Sequence, residues 1–218
     1  MKKIAAPDPP EIPEELAELT VDPDRLPEEI AEASVGEAQL AGARSASLAI
    51  AESRLARVNF TEARLSRFHA TDVAFESCNF SNAHLPDAAF WRAAFSQSKL
   101  SGVQISKSSF VDVTFSGCRL DFATFAGVKF KQVTFDGCQL QEADFSNATF
   151  DQVRFVDCDL ARATFSRMQV QRSEMRRCAL TGLRGLSELR GIAMEWNDVL
   201  EYAQLFAAEL GIEITMSS

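Results

Sequence analysis

The residue type with the clearest chemical potential in this sequence is cysteine, because its thiols recur at a fixed interval. The five cysteines are Cys78, Cys118, Cys138, Cys158 and Cys178. They are twenty residues apart, and Ser98 stands in the one missing place. Such a row could suggest a metal array or a set of disulfides, but zinc needs four ligands that converge on one point and these thiols form a line. We therefore predict small buried side chains, no metal site and no cofactor.

Other groups that could do chemistry lack the partners that catalysis needs. The two histidines, His69 and His84, fall on outward positions, far from a second set of ligands. Serine and threonine are plentiful, yet no Ser-His-Asp or Cys-His arrangement can be argued, and no glycine-rich phosphate loop is present. We predict that the protein has no catalytic residues and is not an enzyme.

The elements that position these residues follow a period of five. The 29 positions at multiples of five from Leu40 to Leu180 hold Phe fourteen times and Leu nine times, and only Ser45 and Ala70 break the column. A second column of small apolar residues lies two positions earlier. Neither a helix of period 3.6 nor a strand of period 2 places all of these residues on one face. The chain must therefore turn by a quarter circle every five residues.

Residues twenty apart are more alike than residues five apart, which predicts coils of four sides. Leucine recurs from Leu100 to Leu180 at this interval, and another side carries Phe90, Phe110, Phe130 and Phe150. Stacked coils place such residues above one another, about 4.8 Å apart, so that like packs on like. The residue two past each central position is Gly, Asn or Asp in twelve of 29 repeats, as turns with positive φ prefer.

The repeat resembles that of the pentapeptide-repeat family, A-(D/N)-(L/F)-(S/T/R)-x. Residues 143–147 (ADFSN) and 158–162 (CDLAR) match it closely, and the resemblance covers residues 34–182. It implies an all-β fold, a right-handed quadrilateral β-helix of about seven coils with the central and the small residues pointing inward.

The two ends depart from the repeat and predict caps. Residues 1–33 form an acidic, proline-rich tail and cap, with a short helix over Glu14–Leu19 and with Leu26–Ala33 over the first coil. Residues 183–218 form a C-terminal cap, in which a helix over 197–210 begins with Asn197 as N-cap and stops at Gly211.

The C-terminal segment is similar to the module that ends the gyrase-protecting members of the family. That resemblance implies a homodimer joined end to end. The interface residues would be those of the apolar stripe of the helix: Val199, Tyr202, Ala203, Phe206 and Leu210. A monomeric cap folded over the last coil remains the alternative.

Two surface features suggest a protein partner. Trp91 and Val111 occupy equivalent outward positions one coil apart and should touch. Positive charge collects near the far end of the solenoid, opposed by Glu174 alone, and either the acidic tail or carboxylates of a partner could meet it. The positive residues are Arg162, Arg167, Arg172, Arg176 and Arg177.

Charge bears on the choice between functions. The net charge is −9, but residues 1–33 and 183–218 carry the excess of acids, and residues 34–182 hold fifteen acids against seventeen bases. We expect a non-catalytic protein-interaction or scaffolding surface with an unknown protein partner. The alternative is a DNA-mimicking modulator of DNA gyrase or another topoisomerase, which would need a dense anionic surface. Nucleic-acid binding is not expected at a pI of about 4.8.

No apolar run is long enough for a membrane span, and we expect a cytoplasmic protein with reduced cysteines.

Overall fold

The computed structural model of the protein describes residues 4–22, 25–213 and 215. The chain forms a β-solenoid of about nine turns with a small helical part at its C-terminal end. In chain order, the strands are β1 (Ala17–Glu18), β2 (Glu29–Ala31), β3 (Ala33–Gly36), β4 (Arg44–Ser45), β5 (Leu48–Ala56), β6 (Arg64–Leu65), β7 (Phe68–Glu76), β8 (His84–Pro86), β9 (Ala89–Ser96), β10 (Gln104–Ser106), β11 (Ser109–Ser116), β12 (Lys129–Asp136), β13 (Thr149–Val156), β14 (Gln169–Gln171), β15 (Ser173–Arg176) and β16 (Ile192–Met194).

All of the strand pairs are parallel, and the register repeats at twenty residues through the body of the solenoid. Phe110 of β11 lies between Phe90 of β9 and Phe130 of β12. One sheet of twelve strands covers two neighbouring sides, and a sheet of four strands, β4, β6, β8 and β10, covers a third. The predicted coil of twenty residues is confirmed.

The core is the column of residues at multiples of five. From Leu40 to Leu180 these residues are buried, except Ser45 and Val170, which are half-buried. Phe115 and Phe135 stack with ring centroids 4.9 Å apart and planes 3° apart. Phenylalanines twenty residues apart stack in this way throughout the core, except that the ring planes of Phe130 and Phe150 meet at 83°. Parallel stacking sets the ring spacing close to the spacing of the strands, so one residue type fits every coil.

All but one of the corners of the coils from Glu32 to Gly182 are residues with positive φ, two past the central residue. From Glu32 to Gly182 the only such position without positive φ is Ser47, where the Oγ of Ser45 accepts a hydrogen bond from the Ser47 amide at 3.2 Å. The sequence predicted Gly, Asn or Asp at twelve corners, but residues as large as Phe122 adopt φ of 59°. The coil hydrogen bonds compensate for this strain: the Asp157 amide donates to the Arg176 carbonyl at 3.0 Å in the next coil.

The solenoid is longer at both ends than the predicted seven coils. Strand β1 pairs with β3, β2 pairs with β5, and β16 extends the stack beyond β15. The helix predicted over Glu14–Leu19 is wrong, because residues 17–18 are a strand and residues 14–15, within the predicted helix, form a bend. An open solenoid end offers unpaired backbone groups, and a strand here can pair with them. Hydrogen bonds within one short helix would stabilise this segment less. The parts of the predicted tail and cap at residues 1–3, 23–24, 214 and 216–218 lie outside the described residues.

The C-terminal cap contains a 3₁₀ turn over Leu186–Leu189 and two short helices instead of the single predicted one. Helix α1 spans Trp196–Glu201 and α2 spans Ala203–Glu209, with Tyr202 between them at φ −104° and ψ 17°. Glu195, not Asn197, is the N-cap residue, and it makes no side-chain cap hydrogen bond. None of the helices in the described part of the chain is long and apolar enough to cross a bilayer.

Candidate protein-interaction surface

The cysteine column lies inside the solenoid, where each thiol has acceptors within reach. The Sγ atoms of Cys118, Cys138 and Cys158 each donate to a phenylalanine carbonyl of the preceding coil at 3.4 Å. Ser98, in the missing place, donates to the Ser96 carbonyl at 3.0 Å and accepts from the Cys78 amide at 3.0 Å. Cysteine and serine are exchangeable in this column because both donate to the same kind of carbonyl.

The surroundings of four of these thiols make them weak nucleophiles, whereas the hydrogen bond with Cys138 lowers the pKa of Cys118. Burial raises the pKa of Cys78 to about 11. The hydrogen bond with the thiol of the preceding coil raises the pKa of Cys138 and of Cys158 to about 12. All five cysteines are buried and free. A protonated, buried thiol is a packing residue rather than a reactive one. Within residues 4–22, 25–213 and 215, no group of three His, Cys, Asp or Glu side chains is placed to hold a metal ion.

Trp91 and Val111 lie side by side on strands β9 and β11, as the sequence predicted. Trp91 is 46% exposed and Val111 is half-buried. The guanidinium carbon of Arg92 lies 3.8 Å from the centre of the Trp91 ring. That contact holds the guanidinium against one face of the indole.

The C-terminal arginines are not the unopposed positive patch that the sequence suggested. Arg177 binds Asp157 at 2.6 Å, Arg162 binds Glu142 at 2.9 Å and Arg172 binds Asp151 at 2.8 Å. Arg176 contacts both Glu174 and Glu195, at 2.9 and 3.4 Å. The prediction failed because most of these carboxylates lie about twenty residues away along the sequence, which is one coil away in space.

Arg167 alone among these arginines forms no ion pair within the described part of the chain. The neutralised surface has no strong field of either sign. A carboxylate-rich partner would therefore gain little there.

The C-terminal cap forms an apolar groove with a volume of about 380 Å³. Its apolar lining consists of Leu186, Leu189, Ile192, Met194, Val199, Phe206 and Leu210. Ser187, Arg190 and Glu209 complete it. Three predicted interface residues, Val199, Phe206 and Leu210, are thus brought together.

The other two predicted interface residues have different positions. Tyr202 packs against the solenoid core, as Phe206 also does in part, and Ala203 is half-buried at the start of α2. The cap therefore covers the last coil and keeps an open groove at the same time.

Sequence reasoning missed three exposed apolar residues of the same cap. Trp196 is 72% exposed, Leu200 is 54% exposed and Ile212 is 57% exposed. Trp196 and Ile212 lie outside the predicted helix over 197–210, and Leu200 lies off its apolar stripe because it directly follows Val199. Their apolar character next to acidic residues was the available signal.

Asp198 of α1 connects this cap to the solenoid. Its Oδ2 accepts a hydrogen bond from the Arg177 amide at 2.9 Å, and the residue is only 7% exposed. In the preceding coil, the equivalent Asp157 amide donates to a backbone carbonyl of the next coil. Because the chain continues after β16 as helix α1 and not as a full coil, the carboxylate of Asp198 takes the place of that carbonyl.

Solved structures with the same fold include two trypsin-treated variants of QnrB1, a plasmid-mediated fluoroquinolone resistance protein. One is 14% identical over 91% of this chain and 95% of that chain, with a TM-score of 0.52. The other is 17% identical over 93% and 100%, with a TM-score of 0.51. HetL, from the cyanobacterium Nostoc sp. strain PCC 7120 and involved in heterocyst differentiation regulation, is 16% identical over 76% and 89%, with a TM-score of 0.49. At such identities the likeness concerns the fold alone. Comparison with curated proteins gave no significant match.

The sequence itself carries the family assignment. The family model described as a pentapeptide repeat region matches residues 68–144 and 108–184, which together span more than half of the chain. These residues are the ones that form the coils, with their buried column at every fifth position and their turns two residues later. The chain belongs to the pentapeptide-repeat family.

Proposed function

We propose that this protein is a non-catalytic scaffold that binds other proteins and pairs with a second copy through its C-terminal groove. The observation that carries the proposal is the distribution of apolar surface. The coils enclose almost all of their apolar side chains, whereas Trp196, Leu200, Leu210 and Ile212 of the C-terminal cap are all more than half exposed, and Leu210 also lines the groove. A surface of this kind is typical of an interaction site.

A second copy is a suitable occupant because the groove can be complementary to itself. A two-fold axis places the same surface of both copies in contact. The groove carries Arg190 and Glu209, which are of opposite charge, beside an apolar floor. Trp196 is the aromatic residue that would contribute most of the buried area.

The molar mass in solution tests the pairing. Light scattering on the eluting protein should give twice the chain mass of 24.0 kDa at micromolar concentration. Leu210→Glu should shift the mass to that of the monomer, because it places a charge on the apolar lining. Gln204→Glu, at an exposed position of α2, is the matched control and should leave the dimer intact. A wild-type mass of 24.0 kDa at every concentration would contradict the pairing.

The surface around Trp91 and Val111 is our candidate for a protein partner. Affinity capture from native cell extract should retain a partner with the wild-type chain and lose it with Trp91→Asp. Arg119→Asp, at an exposed position on another side of the solenoid, should keep it. Capture of nothing above background by the full chain would count against the scaffold function.

A second candidate function is modulation of a topoisomerase, which the resemblance of the C-terminal segment to that of the gyrase-protecting members of the family suggests. The electrostatics oppose it, because the repeat region has slightly more bases than acids and several of its acids are paired with arginine. A supercoiling assay with purified gyrase decides the matter. Absence of both inhibition and drug protection would remove this candidate.

A further inference from the structure

The N-terminal strap, residues 4–16, lies along one corner of the solenoid and is tied to it by its backbone. The Asp8 amide donates to Oδ1 of Asp112 at 3.3 Å, and the Glu11 amide donates to Oδ1 of Asp72 at 2.9 Å. Asp112 and Asp72 occupy the same corner two coils apart. The strap therefore runs parallel to the solenoid axis, against the direction in which the coils are stacked.

The corner beneath the strap differs from the other three corners. Its side chains, which we call the corner groove, are buried or half-buried: Asp72, Arg92, Asp112, Gln132 and Gln152. Corner residues on the other sides over the same coils are exposed, apart from Gly102 and Gly117. The strap accounts for this difference because it covers the groove.

An ion pair shapes the floor of the corner groove. Arg92 binds Asp72 through Nε at 2.6 Å and through Nη2 at 2.5 Å, and the Asp72 side chain is only 6% exposed. This paired carboxylate still accepts the Glu11 amide. A buried carboxylate with a fixed orientation is a specific acceptor for a peptide backbone.

The side chains of the strap are buried or half-buried at every third residue. Ile4 is buried, and Pro7, Pro10, Pro13 and Leu16 are half-buried, whereas the residues between them are exposed, except Ile12. A period of three is that of a polyproline II helix, which advances about 9.3 Å per turn. Two coils of a solenoid advance about 9.6 Å. One turn of such a peptide thus matches two coils, and the same contacts repeat along the axis.

The sequence of the strap has the same period. Residues 7–15 read PDP, PEI and PEE, a proline followed by an acid in each of three triplets. Proline has no amide hydrogen, so the acid after it is the donor that reaches a corner carboxylate. The inward proline supplies the apolar contact and lowers the entropy lost on binding.

We propose that the corner groove is a binding site for proline-rich peptides of the pattern Pro-acid-x, and that residues 4–16 fill it as an intramolecular ligand. When the strap dissociates from the groove, a proline-rich segment of the same pattern from another molecule can bind there. The inference deepens the protein-binding function proposed above by naming a ligand class. The tests below involve neither capture from cell extract nor a measurement of oligomeric state. The peptide-binding proposal and the scaffold proposal can therefore fail independently of each other.

Amide hydrogen exchange in the full chain tests the bound strap. The amides of Asp8 and Glu11 should exchange at least tenfold more slowly than those of an unstructured peptide. The inward-row variant Ile4→Ser/Pro7→Gly/Pro10→Gly should remove this protection. The control Ala5→Ser/Ala6→Gly/Pro9→Gly changes three exposed positions of the same segment and should keep most of it. Unprotected amides in the wild type, or equal effects of the two variants, would overturn the proposal.

A fluorescent synthetic peptide of residues 4–16 tests the binding site. It should bind the inward-row variant at least tenfold more tightly than the wild type, because the wild-type strap competes at high effective concentration. A peptide with Pro7 and Asp8 exchanged and Pro10 and Glu11 exchanged has the same composition and should bind at least tenfold more weakly. If the native peptide does not bind the variant, or if both peptides bind alike, the groove is not the site we propose.

Discussion

Interior coils and terminal segments of this solenoid satisfy the same backbone groups by different means. In the interior, each coil offers the next an identical row of donors and acceptors, and Phe115 stacks on Phe135 as neighbouring rings do elsewhere. At the C-terminal end, the Arg177 amide depends on a single carboxylate, that of Asp198. At the N-terminal side, the strap depends on two amides and a row of prolines.

We infer from this difference that the interior coils mainly provide stability and that the terminal segments mainly provide binding surfaces. Interior positions repeat, so their stabilisation is shared among neighbouring coils and leaves little apolar surface for another molecule. The terminal segments are built from residues that occur once, and they carry the open groove and the displaceable strap. The following experiments should affect the two parts of the molecule in different ways.

Phe130→Asp should have the largest effect, because it places an unpaired charge in the closed core. We expect a loss of more than about 4 kcal/mol in the free energy of unfolding, with several neighbouring coils unfolded. Lys129→Asp, at the exposed position beside it, should change this free energy by less than about 0.5 kcal/mol. Thermal unfolding followed by circular dichroism measures both, and an unchanged melting curve for Phe130→Asp would contradict the closed core.

Asp198→Ala should have a smaller and local effect. Loss of a hydrogen bond from a backbone amide to a charged group costs about 1.5 to 3 kcal/mol. We expect the cap and the amide of Arg177 to lose protection from hydrogen exchange while the amides of interior coils such as that of Phe115 keep theirs. Asp198→Asn retains an acceptor oxygen and should lose less. Equal loss of protection in interior coils would show that the end is not an independent unit.

Acidification should release the strap before it affects the coils. Burial acts to raise the pKa of Asp72, but the hydrogen bonds from Arg92 and from the Glu11 amide outweigh it, so that this pKa lies below its ordinary value of 3.8. A lowered pKa in the folded state means that the stabilisation is present at neutral pH and is lost as the pH falls below about 4. Trp91 fluorescence in a Trp196→Phe background should report the change through Arg92. The same transition in Asp72→Asn would assign it to another group.

The cysteines should give the smallest effect, a difference in rate without a change in structure. With a pKa of about 11 for Cys78 and about 12 for Cys138 and Cys158, these three thiols are almost wholly protonated at pH 8. Ellman's reagent should label the native chain slowly and the chain in guanidinium chloride at once. Cys178, in the last coil and 6% exposed, should react first. Rapid labelling of interior cysteines in the native chain would mean that the coils open readily.

Local repetition explains why so much of the body could be predicted. A period of five with identity at twenty determines which residues face inward, and therefore the column from Leu40 to Leu180, the cysteine row and the contact between Trp91 and Val111. The positions of the corners followed from the same register. That Phe122 adopts a positive φ at one of these corners did not follow from it. Such features depend on the nearest coil, and the nearest coil is a copy of the same pattern.

Features that join different patterns could be found only in the folded chain. The ion pairs of the arginines, the break at Tyr202 and the contact between Asp198 and Arg177 depend on how a coil meets its neighbour or the cap. The path of the strap depends on a match between its own period and the spacing of two coils, which neither segment shows alone. The repeating interior followed from the order of the residues alone, because each coil there is a copy of its neighbour. The ends did not, because each of their contacts occurs once and joins residues with no common period.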